Sequence, residues 1–325
     1  MAAASSAFWA DRPVLVTGAS GLLGGHLVSR LASLGAAVVC LARDGRPAGS
    51  GRRAEVVAGD VRDQDLLARI LAKHEIATTF HLAAQAIVGA AGADPSPTLD
   101  ANVRGTWSVL EACRRPGAGQ VVVASSDKAY GDHGGVPYVE EMPLRGRHPY
   151  DASKACADLI AQSYAWTYGL PVAIARCGNL YGGGDRHWSR LVPGTTRAAI
   201  RGRRPVVRSD GSCVRDYLYA PDAAEGYLLA AEALARGAEP GRAYNLAGGR
   251  PLAVLEMVSL ILREAGAEGL TPEVLGGAAA EIPMQRLDAS RAGAELGWRA
   301  STGVEEGLAA TVAWYRRHLR PRAPR

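Results

Sequence analysis

The run Arg12-Pro13-Val14-Leu15-Val16-Thr17 passes directly into Gly18-Ala19-Ser20-Gly21-Leu22-Leu23-Gly24, which opens a helix reaching about Leu34. Strand, glycine turn and helix in that order leave few folds open. Gly18 can make the tight turn, Gly21 leaves room for an anion beside a helix N-terminus, and Gly24 lets helix and strand approach closely. Glycine-rich turns are common, and one that binds nothing is the alternative reading. The position of this one, at the first strand of an alternating β/α pattern, predicts a dinucleotide cradle containing Ser20, Leu22 and Leu23.

Further strands are expected at Ala36 to Leu41, Ala54 to Ala58, Thr78 to Ala83, Gln120 to Ala124 and Leu170 to Arg176. Helices are expected at Asp63 to His74, from a Gly/Pro-rich loop (89–97) to Arg115, and at Tyr150 to Tyr168. This is the pattern of an α/β chain with a doubly wound parallel sheet of the Rossmann type, occupying residues 1–176. Beyond Arg176 the alternation breaks, so residues 177–325 are expected to form a smaller, partly interleaved substrate-binding domain. Val214 to Tyr219 and the helix Pro221 to Leu234 read as a strand–helix pair (214–235) returning to the first domain. Pro251 to Ala265 and Ser301 to Leu319 read as amphipathic helices.

After the second strand come Arg43 and Asp44. An acidic residue there holds ribose hydroxyls, and an arginine accommodates a 2′-phosphate. Asp44 favours NAD, and Arg43 keeps NADP open. Asp60-Val61, after the third strand, either meets the adenine edge or caps the next helix. Leu82-Ala83-Ala84-Gln85 would let a cofactor lie against the backbone, and Gln85 could touch a substrate. Asn102 is a further cofactor candidate, whereas His81 reads as a packed core histidine. Cys177, another cofactor candidate, and Cys156 read as packed thiols near the site, since neither is paired with a histidine.

The fifth strand delivers Ser125-Ser126-Asp127-Lys128 to its carboxyl end, where open α/β sheets place ligands. Tyr150 and Lys154 lie one helical turn apart at the start of the next helix. A hydroxyl, a carboxyl, an amine and a phenol therefore converge, a set suited to proton transfer coupled to redox chemistry. A free phenol has a pKa near ~10, so Tyr150 needs a neighbouring cation to act as a base, and Lys154 is placed to supply it. Asp127 and Lys128 could instead be a mutual ion pair. Asn179, Arg190 with Leu191, Arg215 and, more weakly, Arg286 are candidates for an anionic substrate, because the guanidinium fork suits phosphate oxygens.

A net charge of +5 would permit nucleic-acid binding, but the arginines are scattered and aromatics make up only 6% of the chain, so none is expected. Five widely spaced cysteines without a CxxC pair argue for reduced thiols in the cytoplasm and against a metal site. No apolar run approaches the ~20 residues of a membrane span.

Gly18-x-x-Gly21-x-x-Gly24, Tyr150-x-x-x-Lys154 and Arg176-x-x-Asn179 together resemble the extended short-chain dehydrogenase/reductase superfamily in its nucleotide-sugar branch. Ser125-Ser126-Asp127-Lys128 and the run Gly178 to Asp185 with Arg190-Leu191-Val192-Pro193 resemble the CDP-glucose 4,6-dehydratases. Arg215-Asp216-Tyr217-Leu218-Tyr219 is similar to the general epimerase and dehydratase pattern. The resemblance implies a nucleotide-diphosphate sugar as substrate, an internally recycled NAD, and a homodimer formed through the helices at Thr98 to Arg115 and Tyr150 to Tyr168. It implies that Tyr150 takes a proton from the 4-hydroxyl beside Ser126, that Lys128 removes the carbon 5 proton, and that Asp127 protonates the departing 6-hydroxyl. A 4-epimerase or a reductase needs no Asp127-Lys128 pair, and a non-catalytic dinucleotide sensor needs neither Tyr150 nor Lys154.

Overall fold

The computed structural model describes residues 3–43, 45, 54–115, 119–277 and 281–319. Among these, seven parallel strands form the central sheet. They are β1 (Pro13–Thr17), β2 (Ala37–Ala42), β3 (Ala54–Ala58), β4 (Thr78–His81), β5 (Gln120–Ala124), β6 (Val172–Cys177) and, later in the chain, Arg242–Leu246. The last strand lies beside β6, and the order from that edge continues β5, β4, β1, β2, β3. The order reverses between β1 and β4, opening a crevice at their carboxyl ends.

Helix α1 (Leu22–Ser33) buries Leu23, Leu27, Val28 and Leu31, a stripe at helical spacing. Asp63 caps α2 (Gln64–Lys73), its carboxylate accepting from the Leu66 N–H at 2.9 Å. Ser96–Leu99, a π-helical segment Asp100–Arg104 and α3 (Gly105–Cys113) follow one another, and α4 (Pro149–Tyr168) ends at Gly169 in the left-handed region. The expected loop 89–97 contains a helical turn, Val88–Ala93.

The region after β6 is more ordered than its glycines suggest. β7 (Asn179–Tyr181) pairs with β9 (Val214–Tyr219), and β9 pairs with β11 (Pro251–Ala253) in a separate sheet. A short β8 (Val206–Val207) pairs with β12 (Glu273–Val274). Strand 214–219 therefore does not return to the central sheet. β10 (Arg242–Leu246) takes that place, in register with Ala173 to Cys177. α5 (Leu191–Ile200) lies beyond β7, and α6 (Ala220–Ala235) does pack onto the central sheet, its Ala223, Tyr227 and Leu228 joining Leu27, Val122 and Ala175 in one buried core. The segment expected to be helical from Pro251 begins as β11 and becomes α7 (Val254–Glu264), and α8 (Val304–Leu319) closes the described chain. Among the described residues no helix is long and apolar enough to cross a membrane.

Candidate active site

After β1 the chain turns at Gly18, φ 70°. A Cβ there would stand 2.6 Å from the Ala83 amide nitrogen, and one at Gly24 would strike the Gly18 carbonyl. Close backbone packing therefore requires both glycines. Gly21 caps α1 with no side chain bonded to the free N–H groups. That positive helix end, flanked by exposed Ser20 and half-buried Leu22 with Leu23 packed beneath, suits a pyrophosphate.

A hydroxyl relay fixes the facing wall. The Thr17 hydroxyl accepts from the Leu82 and Ala83 N–H groups, both at 3.2 Å, and so donates to His81 Nδ1 at 2.9 Å. Thr106 donates to the Asn102 carbonyl and must accept from His81 Nε2, which therefore carries the ring proton. Burial and nearby Lys154 push His81 down to about 3, so it remains neutral and structural, as expected. Asn102 braces the loop: its amide accepts from the Gln85 N–H at 2.8 Å and donates to the Gln85 carbonyl and to Ser153. The Gln85 side chain also folds back, onto the Ile87 backbone. Ala84 stays half-buried beside it.

At the far end of the crevice, Asp60 is chelated by Arg62, which holds its carboxyl down to about 2. It caps no helix, since Asp63 does so. Val61 packs on Gly105, where a Cβ would lie 2.8 Å from it. Arg43 is exposed, and Asp44 lies outside the described residues.

The end of β5 is held by a buried network that sequence reasoning missed. Arg176 donates to both Asp158 oxygens at 2.8 and 2.9 Å, Ser125 donates to the same carboxylate at 2.7 Å, and Arg176 also reaches the Tyr130 hydroxyl at 2.9 Å. It ties β5, β6, α4 and the turn Asp127–Tyr130 together. Ser126 begins that turn, accepting from the Lys128 N–H at 3.2 Å and donating to Asp127 Oδ1 at 3.0 Å. Asp127 Oδ2 is buried without a partner among the described residues. A buried polar atom left this way marks a place for a ligand group.

The Lys128 amine donates to the side-chain oxygen of Gln285 and not to Asp127, which argues against the mutual ion pair. Burial lowers its pKa, with Asp127, Asp151 and Glu281 opposing and Arg215 reinforcing. Tyr150 is pushed up to about 12, first by burial and also by Asp127, while Arg190 and the Ser126 hydroxyl draw it down. Lys154, the cation expected beside Tyr150, donates to the Ala124 carbonyl at 2.8 Å, and burial brings it down to about 8. Cys177 is packed against the Tyr227 hydroxyl and pushed up to about 12 by burial. Cys156 is exposed, contrary to expectation.

Arg190, preceding α5, is held by Asp185 at 2.9 Å, and Leu191 is half-buried against the neighbouring apolar clusters. Arg215 is buried, bonded to the Val214 and Ile282 carbonyls and to Glu281. Half-buried Asn179 pairs with Tyr217 across the smaller sheet, and Arg286 is exposed. One available signal went unread. The chain has three lysines, Lys73, Lys128 and Lys154, among 37 basic residues, and the last two meet at this site. In an arginine-rich chain, retained lysines mark where an amine able to lose its proton is useful.

Comparison with known proteins agrees with this geometry. A dTDP-glucose 4,6-dehydratase of Streptomyces griseus is 34% identical over 319 residues, covering 94% of each chain. Among solved structures, dTDP-glucose 4,6-dehydratase from Streptomyces venezuelae with NAD bound is 32% identical with a TM-score of 0.86, covering 94% of this chain and 97% of that one. UDP-glucose 4-epimerase from Thermotoga maritima with UDP-glucose is 27% identical with a TM-score of 0.87, covering 95% of this chain and 100% of that one. The model of the NAD dependent epimerase/dehydratase family matches residues 14–247, and the chain belongs to that family.

Proposed function

We propose that this protein is a nucleotide-sugar 4,6-dehydratase, converting a CDP-glucose-like NDP-hexose to the NDP-4-keto-6-deoxyhexose with a tightly held NAD. The observation that carries this reading is buried Asp127 next to half-buried Lys128 beside Tyr150, with a carboxylate oxygen left unpartnered and an amine whose pKa is lowered. NAD is the cofactor of the family, and the glycine cradle with its uncapped helix end fits a dinucleotide. When bound, NAD would supply a reversible two-electron acceptor beside the sugar.

Tyr150 takes the 4-hydroxyl proton, Ser126 holds the same oxygen, and Arg190 lowers the cost of ionising the buried phenol. The resulting ketone acidifies carbon 5. Lys128 then removes that proton while Asp127 protonates the departing 6-hydroxyl, which leaves as water. Lys154, anchored at the end of β5, and Gln85 shape the cofactor side. Arg190, Arg215 and Asn179, with Arg286 at the rim, are assigned to the nucleoside diphosphate, and residues 177–325 supply this side of the cleft. Five separate free thiols support a reducing, cytoplasmic setting.

Likeness to an epimerase favours the second reading, 4-epimerisation, which uses Tyr150 but leaves Asp127 and Lys128 without a task. Incubation with CDP-, dTDP-, UDP- and GDP-glucose separates the two. A product lighter by one water supports dehydration, and a product of unchanged mass but new retention time overturns it.

A further inference from the structure

Gln285 belongs to no motif and sits 157 residues from the lysine it meets. It is fully buried, at 0% exposure. Its segment is strapped on both sides: the Gln285 N–H donates to the Val214 carbonyl at 3.0 Å, Tyr138 N–H donates to the Arg286 carbonyl at 2.9 Å, and Asp288 N–H donates to the Tyr138 carbonyl at 2.9 Å. The side-chain oxygen of this amide accepts from the Lys128 amine, while its Nε2 lies toward the Tyr138 hydroxyl without a partner in full hydrogen-bond geometry among the described residues.

We propose that Gln285 is the positioning residue for Lys128: a neutral acceptor that fixes where the amine lies without lending it negative charge. The choice of an amide matters chemically. A lysine that accepts a proton from carbon must present a lone pair, and an acceptor on one of its N–H bonds orients that lone pair while leaving it free. A carboxylate in the same place would retain the third proton on nitrogen and remove the base. The charged groups that bear on Lys128 are Asp127 on its own turn, Asp151 on α4, Arg215 on β9 and Glu281 ahead of Gln285. Three acids and one guanidinium already surround the amine, so a further carboxylate would tilt the balance toward a permanent ammonium. Gln285 also joins the Lys128 turn at the end of β5 to the segment paired with β9, so the base is set only when both parts of the cleft are assembled. The inference rests on the dehydratase reading for its purpose, but its test does not.

Because the chain has only three lysines, the purified protein grown with lysine labelled at the ε-carbon gives three resonances, assignable with Lys73→Arg and Lys128→Met. The pH titration of each is followed in the native protein, in Gln285→Glu and in Gln285→Met. The Gln285→Glu variant is expected to move the Lys128 titration upward by about one pH unit or more, with Lys154 unmoved. Since a buried carboxylate strains folding, Gln285→Met provides an independent check. It should release Lys128 toward the shift of an exposed lysine and cut water loss at least ~10-fold, while NAD reduction seen at 340 nm persists. A folded Gln285→Glu protein with an unmoved Lys128 titration, or a Gln285→Met protein with native Lys128 resonance and turnover, overturns the proposal. A moved titration in a protein that releases water from no NDP-hexose would sustain the positioning role and defeat the dehydratase reading instead.

Discussion

Lys128 is the residue on which the proposed chemistry turns, since Tyr150 and Ser126 serve an epimerase equally well. Lys128→Met should lower dehydration by about 10²- to 10⁴-fold while leaving a single turnover of NAD reduction visible, because only the second step lacks its base. Normal turnover in that variant would remove Lys128 from the mechanism. Asp216, at 1% exposure, gives a stability test in the same neighbourhood. Burial first, and then nearby Asp127, raise its pKa from 3.8 to about 6, against a bond from the Gly248 N–H. A raised folded-state pKa means that the native protein favours the proton. The penalty is therefore full above pH 6 and is relieved as pH falls toward 3.8. Asp216→Asn keeps an acceptor for Gly248, so it should stabilise the protein by on the order of 2–3 kcal/mol at pH 8 and hardly at all near pH 4. A difference in thermal midpoint that does not vary with pH would contradict this. Tyr150, Lys154 and Ser126 to Lys128 were legible in the sequence because each set is local, on one strand end or one helical turn. Gln285 and the Asp158–Arg176 pair were not, since a contact between distant segments leaves no periodicity to read.

At the scale of elements, the glycine cradle was legible as spacing, and the structure supplies its steric reason. Gly24→Ala would drive a methyl into the Gly18 carbonyl, so α1 must shift away from β1. We expect a loss of about 1–3 kcal/mol in stability and at least ~10-fold in NAD affinity, measured by denaturation and by calorimetry. Native affinity for NAD in that variant would show that the helix end does not hold the cofactor. The strand at Val214–Tyr219 shows where element-level reading stops. An apolar run before a helix predicts a strand, yet nothing in it says which sheet it joins. The answer lies in β10, whose Arg242–Leu246 backbone pairs with β6 and fills the edge position. The helix that follows β9 still packs on the central sheet, because Ala223, Tyr227 and Leu228 present one apolar face to it.

For the molecule as a whole, exposed apolar residues occur in several places, and Leu99, Trp107, Leu159, Tyr168 and Trp166, the last 91% exposed, lie on the two helical segments that the family resemblance assigns to a dimer. We propose that these residues meet a second copy of the chain. Trp166→Glu should weaken association at least ~30-fold in sedimentation velocity, about 2 kcal/mol at a buried aromatic anchor. A native protein that is monomeric at micromolar concentration would contradict the dimer. Six of the seven central strands and the crevice were readable from alternation alone, whereas the edge strand β10 and the smaller sheet, hidden among glycines, were not.

The proposed chemistry depends on proton removal from carbon 5. The most direct measurement is the isotopic content of that carbon in product formed from NDP-glucose in deuterium oxide. Dehydration by this route gives a 4-keto-6-deoxy product, lighter by one water apart from its label, carrying solvent deuterium at carbon 5. A turned-over sugar with its original hydrogen still at carbon 5 would contradict it.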